Sequence, residues 1–319
     1  MGKDRTLPGL VAATVVLLGL SSFAPDWAIF MLVISLAQGT VVLGLMLLWR
    51  SGLMSFGQSL YYAVGGYTVG LLNLEFGISS ALLLVLAATL MAGVLAFLLG
   101  FLLSRYRDIF FGMLTLAFAM VLYGVLVRSE NLGSTDGFTV MVPSFFELHL
   151  ESDAAQRCLT AFAAVIALAA TLTVHRYLRS TAGHLATAIR DNEIRVEYLG
   201  FSVHRAIHVK YVIAGLLAGA GGAIVAMAAG HVDPEMSYWT TSGEFVFIAI
   251  LAGIGSVAAP FVGSALYVVL ATYAAEYVPH VWHLVLGGSL LFLIMFLPDG
   301  VWSLLRRLAL RVRPAPVPS

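Results

Sequence analysis

The chain has 319 residues, of which 60% are hydrophobic and only 11% are charged, and its formal net charge is +0. Soluble domains carry about 25% charged residues, so this composition, with a mean hydropathy of +0.95, excludes an ordinary soluble protein. The absence of a basic field argues against nucleic acid as a partner, and the single cysteine, Cys158, excludes an internal disulfide. The composition therefore predicts a polytopic membrane protein.

Long apolar runs predict about ten transmembrane helices, because roughly 20 apolar residues cross a bilayer as a helix. The predicted spans are 8–23, 27–48, 57–73, 79–103, 109–128, 157–178, 209–230, 244–258, 260–275 and 281–298. The first is interpreted as a retained helix, since no clear cleavage site precedes Pro25. The stretch 57–73, rich in Gly, Tyr and Ser, and the glycine-broken pair 244–258 and 260–275 are candidates for broken or re-entrant helices. The fold class is all-α, with one transmembrane domain over residues 1–312 and a Pro-rich tail, 313–319, predicted to be disordered.

Basic residues predict the orientation, because short cytoplasmic loops retain Lys and Arg. With the N-terminus inside, all of the 17 Lys and Arg residues except Arg128 and Arg157 lie on the cytoplasmic side. Acidic loop residues such as Asp136, Asp233 and Glu235 fall mainly on the outer side. Both termini and the loop at about 176–209 are therefore predicted to be cytoplasmic.

Residues 180–210 form the one long polar interruption of the sequence. The apolar residues Leu185, Ala188, Ile189, Val196 and Leu199 recur there at helical spacing among charged residues, and Gly200 stands where a helix would end. The pattern predicts one short amphipathic helix that fills a groove of a partner protein and transmits its movement. The alternative is a surface helix lying on lipid headgroups, which three acidic residues make a poor match to an anionic membrane.

Sequence motifs for catalysis or cofactor binding are either absent or lie in the wrong structural context. Gly253 and Gly255 have the spacing of a dinucleotide fingerprint, but they lie between two membrane runs instead of in a βαβ unit. The sequence contains no GxxxxGK[ST] phosphate loop, no HExxH zinc motif and no GxSxG elbow. It therefore predicts no catalytic residue and no metal site, and any ATP that drives the protein must bind to another chain.

Charged residues are scarce inside the predicted spans, which argues against coupling to an ion gradient. The candidate residues of a substrate pathway are Gln58, Tyr67, Thr115 and Glu244. Polar residues in spans more often form hydrogen bonds between helices, so the packing role remains the commoner alternative. Small residues at every fourth position predict close helix packing in the seventh span. The candidate packing residues are Gly215, Gly219 and Gly222.

Several short motifs together resemble one transporter family. Residues 183–193 (GHLATAIRDNE), with Leu199 and Gly200, are similar to the cytoplasmic coupling segment of the LivM-type permease subunit of branched-chain amino acid ABC importers. The other matching motifs are 55–58 (SFGQ), 65–68 (GGYT), 115–118 (TLAF), 136–137 (DG), 253–256 (GIGS) and 298–300 (PDG). They follow the family's order over nearly the whole chain.

The resemblance implies a permease subunit of the bacterial cytoplasmic membrane, surrounded by lipid, that imports branched-chain or other hydrophobic amino acids by alternating access. Its implied partners are a second related permease, two ABC ATPase subunits that bind ATP and Mg, and an extracytoplasmic substrate-binding protein. This chain itself would bind no cofactor and no nucleic acid. The residues matching the family's ATPase-coupling loop are Gly183, Leu185, Ala188, Ile189, Arg190, Asn192, Glu193, Leu199 and Gly200. The rival hypothesis is an ATPase-independent channel or facilitator for a small neutral solute such as urea.

Overall fold

The computed structural model describes residues 6–21, 24–145, 152–297 and 300–304. The helices in these ranges are α1 (Thr6–Ser21), α2 (Asp26–Trp49), α3 (Gln58–Phe76), α4 (Ala81–Leu103), α5 (Asp108–Arg128), α6 (Ser152–Arg179), α7 (Thr181–Asp191), α8 (Glu193–Tyr198), α9 (Val203–Ala229), α10 (Trp239–Ala252), α11 (Ala259–Tyr277) and α12 (Trp282–Phe296). The predicted disordered tail, and Pro298 and Asp299 of the last motif, lie outside the described residues.

The length and composition of these helices fit a membrane protein. Within the described ranges, six helices are long and apolar enough to cross a bilayer, namely α2, α4, α5, α6, α9 and α11. Shorter apolar helices cover Pro8–Gly19, Trp239–Ala252 and Trp282–Leu293. The predicted all-α polytopic membrane fold is therefore confirmed, and the count of ten spans stays a prediction.

Helix α9 packs against α2, α3 and α4. Its buried face consists largely of alanine and glycine, which lets the neighbouring backbones approach closely. Gly215 lies against the methyl group of Ala96 on α4, and Gly219 lies against that of Ala92. A Cβ added at Gly222 would meet the carbonyl oxygen of Tyr62 on α3. The three candidate packing glycines thus lie where helix α9 touches its neighbours.

Two segments enter the bundle without forming a long helix. Residues 50–57 connect α2 to α3 and contact α5, where the Phe56 amide donates to Thr115 Oγ1 at 3.1 Å. Residues 230–238 include a 3-10 turn, Pro234–Ser237, whose Ser237 hydroxyl donates to the Ala119 carbonyl at 3.0 Å. Helices α3 and α10 begin where these segments end, and their first turns meet through a 2.7 Å hydrogen bond from Ser242 Oγ to Ser59 Oγ. Both serines are buried, so the two helices start inside the bundle.

Two predicted spans have wrong boundaries. Helix α10 begins at Trp239 and ends at Ala252, whereas the span was predicted at 244–258; Gly253, with φ of +78°, turns the chain there. Helix α9 begins at Val203 instead of 209, because the Ser202 hydroxyl accepts a hydrogen bond from the Arg205 amide and caps the helix. The polar first turns of α9 concealed this start from a hydropathy-based prediction.

The bundle has two chemically different ends. At one end, here called the basic end, Arg50 donates to the Ile254 carbonyl at 2.7 Å and Lys210 donates to Ser51 Oγ at 2.7 Å. At the opposite end, β1 (Phe138–Thr139) pairs antiparallel with β2 (His231–Val232). The loops that follow α2 and α10 therefore meet at the basic end, beside Lys210 of α9.

Candidate functional site

The polar segment between α6 and α9 folds into two helices. Helix α7 ends at Asp191, Asn192 takes an extended backbone conformation, and α8 starts at Glu193. The Asn192 side-chain oxygen accepts a hydrogen bond of 2.9 Å from the Arg195 amide, so it caps α8. The prediction of one continuous helix is wrong, because a capping residue interrupts an apolar repeat that looks continuous in sequence.

The break changes which side chains face the bundle. Gly183, Ala186, Ile189 and Val196 are buried, and Leu185 is half-buried. In contrast, Ala188 is exposed and Leu199 is 70% exposed, so these two members of the predicted apolar stripe lie outside the buried face. The predicted stripe assumes one continuous helix, whereas Asn192 separates two helices that present different faces to the bundle.

A cluster of large apolar side chains on and just after α8 faces away from the bundle. Ile194, Tyr198 and Leu199 are 66%, 88% and 70% exposed; we call them the α8 patch. Gly200, with φ of +85°, ends the turn that follows α8. Contiguous exposed apolar side chains often mark an interaction surface.

Gly183 fixes the angle between α6 and α7. A Cβ added at this glycine would lie 2.5 Å from Leu178 Cα and would also meet the Tyr177 carbonyl oxygen. The Ser180 hydroxyl accepts a hydrogen bond of 3.3 Å from the Gly183 amide and caps α7. The absence of a side chain at Gly183 therefore lets α7 fold back on the end of α6.

Two further contacts join the segment to the bundle. Arg107 Nε, in the corner between α4 and α5, donates to Glu193 Oε1 at 2.6 Å. The Arg190 side chain packs on Gly52, whose added Cβ would lie 3.4 Å from Arg190 Cγ. Sequence reasoning selected Glu193 and Arg190 but missed Arg107, because no local pattern marks a partner 86 residues away.

A fully buried lysine supports the loop after α2. Lys210 has 0% exposure and its amine donates to Ser51 Oγ, the neighbour of Gly52. Burial also lowers the pKa of the nearby Arg50 guanidinium below its ordinary value, since partial loss of water destabilises the charged form. Sequence analysis missed the Lys210–Ser51 contact, although a lysine close to an apolar run was a visible signal.

The four candidate pathway residues do not form one site. Gln58 and Tyr67 are buried on α3, with the Gln58 amide group and the Tyr67 hydroxyl unpartnered in the described structure. Thr115 donates to the Gly112 carbonyl at 2.8 Å and accepts from Phe56. Glu244 lies on α10 and shares a hydrogen bond with Tyr267 of α11. Only Gln58 and Thr115 lie next to the same segment, residues 50–57.

A cavity of about 660 Å³ lies beside this segment. Its walls come from the loop after α2, the first half of α5 and the start of α10. We call it the chamber. It ends at the basic end beside Asp108 and Arg190, so the polar segment and the chamber touch at Arg190.

Together these features define a polytopic helical membrane protein with an ordered polar segment at one end. The family described as "Branched-chain amino acid transport system / permease component" matches residues 27–295. The chain belongs to this family. This family description agrees with the predicted class, a multi-pass membrane permease.

Individual relatives agree with this assignment. The high-affinity branched-chain amino acid transport system permease protein LivM of Escherichia coli (strain K12) is 28% identical over 288 residues, which cover 83% of this chain and 66% of LivM. LivM of Salmonella typhimurium is 27% identical over the same shares. The permease protein LivH of Escherichia coli (strain K12) is 23% identical over 78% of this chain and 85% of LivH. The predicted resemblance to LivM-type permeases is confirmed, the chain spans just under two thirds of the LivM length, and no solved structure matches it.

Proposed function

We propose that the chain is the membrane-spanning subunit of an ATP-driven importer for branched-chain or other hydrophobic amino acids. Similarity to LivM and LivH, two permease proteins of branched-chain amino acid transport, supports the substrate class and the pairing with a second, related permease. The observation that carries the proposal is the α7–α8 segment, which is fixed to the bundle but turns the α8 patch outward.

The proposed assembly follows from the chemistry of the two ends. The basic end faces the cytoplasm, because short cytoplasmic loops retain basic residues, and both termini lie on that side. Two ATPase subunits hold ATP and Mg against the basic end, and an extracytoplasmic protein delivers substrate to the opposite end. The chain lies in the bacterial inner membrane, surrounded by lipid, and itself binds no cofactor.

The α8 patch is the surface proposed to enter a groove of an ATPase subunit. Apolar side chains on a short helix are suited to such a groove. Movement of the ATPase pulls on α8. The movement passes to the bundle through two contacts, Glu193 with Arg107 and Arg190 with Gly52. It also passes to α6 through the tight turn at Gly183, where α7 folds back on α6; we call this turn the Gly183 elbow. Because each contact ends on a different part of the bundle, the segment can move several helices together as rigid bodies. Alternating access follows when those helices shift around the chamber.

Replacement of two of the three side chains of the α8 patch tests this proposal. The double variant Tyr198→Ser/Leu199→Ser, coexpressed with the sister permease and ATPases, is expected to remain folded but to lose ATPase copurification and ATP-driven L-leucine uptake. Tyr106→Ser is the control, since Tyr106 is also exposed, at 41%, in the neighbouring α4–α5 corner. Wild-type uptake by the double variant contradicts the coupling role. Solute uptake by this chain alone in liposomes supports the rival facilitator.

A further inference from the structure

The chamber has an apolar wall and one charged mouth. Met54, Phe56, Met113, Leu116 and Trp239 contribute to its apolar wall, and Gly112 and Gly243 widen it. Asp108 and Arg190 lie at the basic end of the same cavity. The surroundings therefore change from hydrocarbon to a pair of opposite charges within one space.

A second, polar cleft continues the chamber toward the polar segment. This cleft has a volume of about 290 Å³ and shares Gly52, Asp108 and Arg190 with the chamber. Its wall also contains the Arg107–Glu193 ion pair and Ser51, whose hydroxyl accepts a hydrogen bond from the buried amine of Lys210. Apart from the Arg107–Glu193 ion pair, the charged residues of the cleft wall are Arg190, its neighbour Asp191 and Asp108, so the cleft offers one guanidinium and two carboxylates.

We propose that the chamber and the cleft bind the transported solute on the cytoplasmic side, as a zwitterion with an apolar side chain. The inference rests on the proposed function, whose substrate class it specifies. Arg190 faces the carboxylate of the solute, Asp108 faces its ammonium group, and the apolar wall covers its side chain. Arg190 belongs to α7, so movement of the coupling segment also changes the binding site and releases the solute.

Charge complementarity selects this occupant over others. A small neutral solute such as urea has no formal charges to pair with Arg190 and Asp108 and no side chain to cover the apolar wall. For an aliphatic side chain, burial of apolar surface contributes about 25 cal/mol per Å². A guanidinium recognises a carboxylate through paired hydrogen bonds. A zwitterionic lipid shares this chemistry, so the experiments below separate lipid from amino acid.

The first experiment reduces the chamber volume in the assembled importer. Gly243 lines the chamber, and a Cβ added there meets nothing within 4 Å. Gly243→Leu is expected to lower ATP-driven L-leucine uptake about tenfold or more and L-alanine uptake less, because the larger substrate needs the lost volume. The control is Gly124→Leu on α5, where an added Cβ also meets nothing within 4 Å and which is outside the lining of the chamber. Wild-type leucine uptake by Gly243→Leu, or equal loss of both substrates, overturns the proposal.

The second experiment measures occupancy without ATP. In a Cys158→Ser background, which removes the single cysteine of the chain, Met113→Cys places a thiol in the chamber wall. L-Leucine is expected to slow maleimide labelling of the full importer in inside-out vesicles severalfold, whereas isobutylamine, which lacks the carboxylate, is not. Adding Asp108→Asn is expected to weaken the protection; asparagine tolerates the positive φ of +50° at this position.

The outcomes separate the two proposals. Labelling that leucine leaves unchanged, as expected for a chamber filled by lipid or by the sister permease, overturns the inference. Protection by leucine in an importer that shows no ATP-driven uptake overturns the proposed function and leaves the binding site standing.

Discussion

Arg107 Nε lies 2.6 Å from Glu193 Oε1, so the corner between α4 and α5 is tied to the first residue of α8. The two side chains are 27% and 35% exposed, and ion pairs that water can reach contribute only about 0–1 kcal/mol to stability. We therefore expect this ion pair to matter for movement more than for stability, since it joins the α7–α8 segment to α5, a helix that lines the chamber.

Glu193→Gln is expected to lower ATP-driven leucine uptake severalfold while the free energy of unfolding changes by about 1 kcal/mol or less. The amide keeps the shape of the side chain but loses the charge that attracts Arg107. Uptake in proteoliposomes and thermal unfolding in detergent measure the two effects. The exchanged pair Arg107→Glu/Glu193→Arg should recover part of the uptake; wild-type uptake by Glu193→Gln rejects the mechanical role.

Gly183→Val is expected to destabilise the chain by about 1–3 kcal/mol, as overpacking does, and to abolish coupling. The new side chain would collide with the end of α6 at Leu178 Cα. Folded yield and melting temperature in detergent report the effect. Gly124→Val is the control on an open helix face. Equal yields and melting temperatures of the two variants contradict the claim that Gly183 is needed for α7 to fold back on α6.

Ser51→Ala is expected to lower the free energy of unfolding by about 1–3 kcal/mol, because it leaves the buried Lys210 amine without its hydroxyl partner. Lys210→Met should be neutral or stabilising, since replacing a buried charge by an apolar chain of similar length removes its desolvation cost. The double variant should then match Lys210→Met alone. Chemical denaturation in mild detergent measures the stabilities of the three variants. A Ser51→Ala variant as stable as the wild type contradicts the prediction.

Gly222→Leu is expected to prevent folding, because the side chain would push α9 away from the Tyr62 carbonyl on α3. Gly287→Leu on α12 is the matched control, as an added Cβ there meets nothing within 4 Å. Membrane-inserted yield of the two variants is the measurement. Normal yield of Gly222→Leu shows that the α3–α9 contact is dispensable.

Sequence alone determined the class of the protein. The apolar runs are too long and too numerous for a soluble fold, and in a bilayer each must form a helix to satisfy its backbone hydrogen bonds. An all-α membrane bundle therefore follows from composition and run length. Short motifs in order pointed to the permease family, and Gly183, Arg190 and Glu193 were selected from one local segment.

Only the tertiary structure decided how that segment is folded and which residues it contacts. Asn192 can continue or cap a helix, and the choice between them depends on how α7 and α8 pack, so a local period predicted one helix where there are two. The contacts Arg107–Glu193 and Lys210–Ser51 join residues 86 and 159 positions apart, and no local pattern encodes such a distance. The chamber is likewise a space between elements, which exists only once α5, α10 and the loop after α2 have packed together.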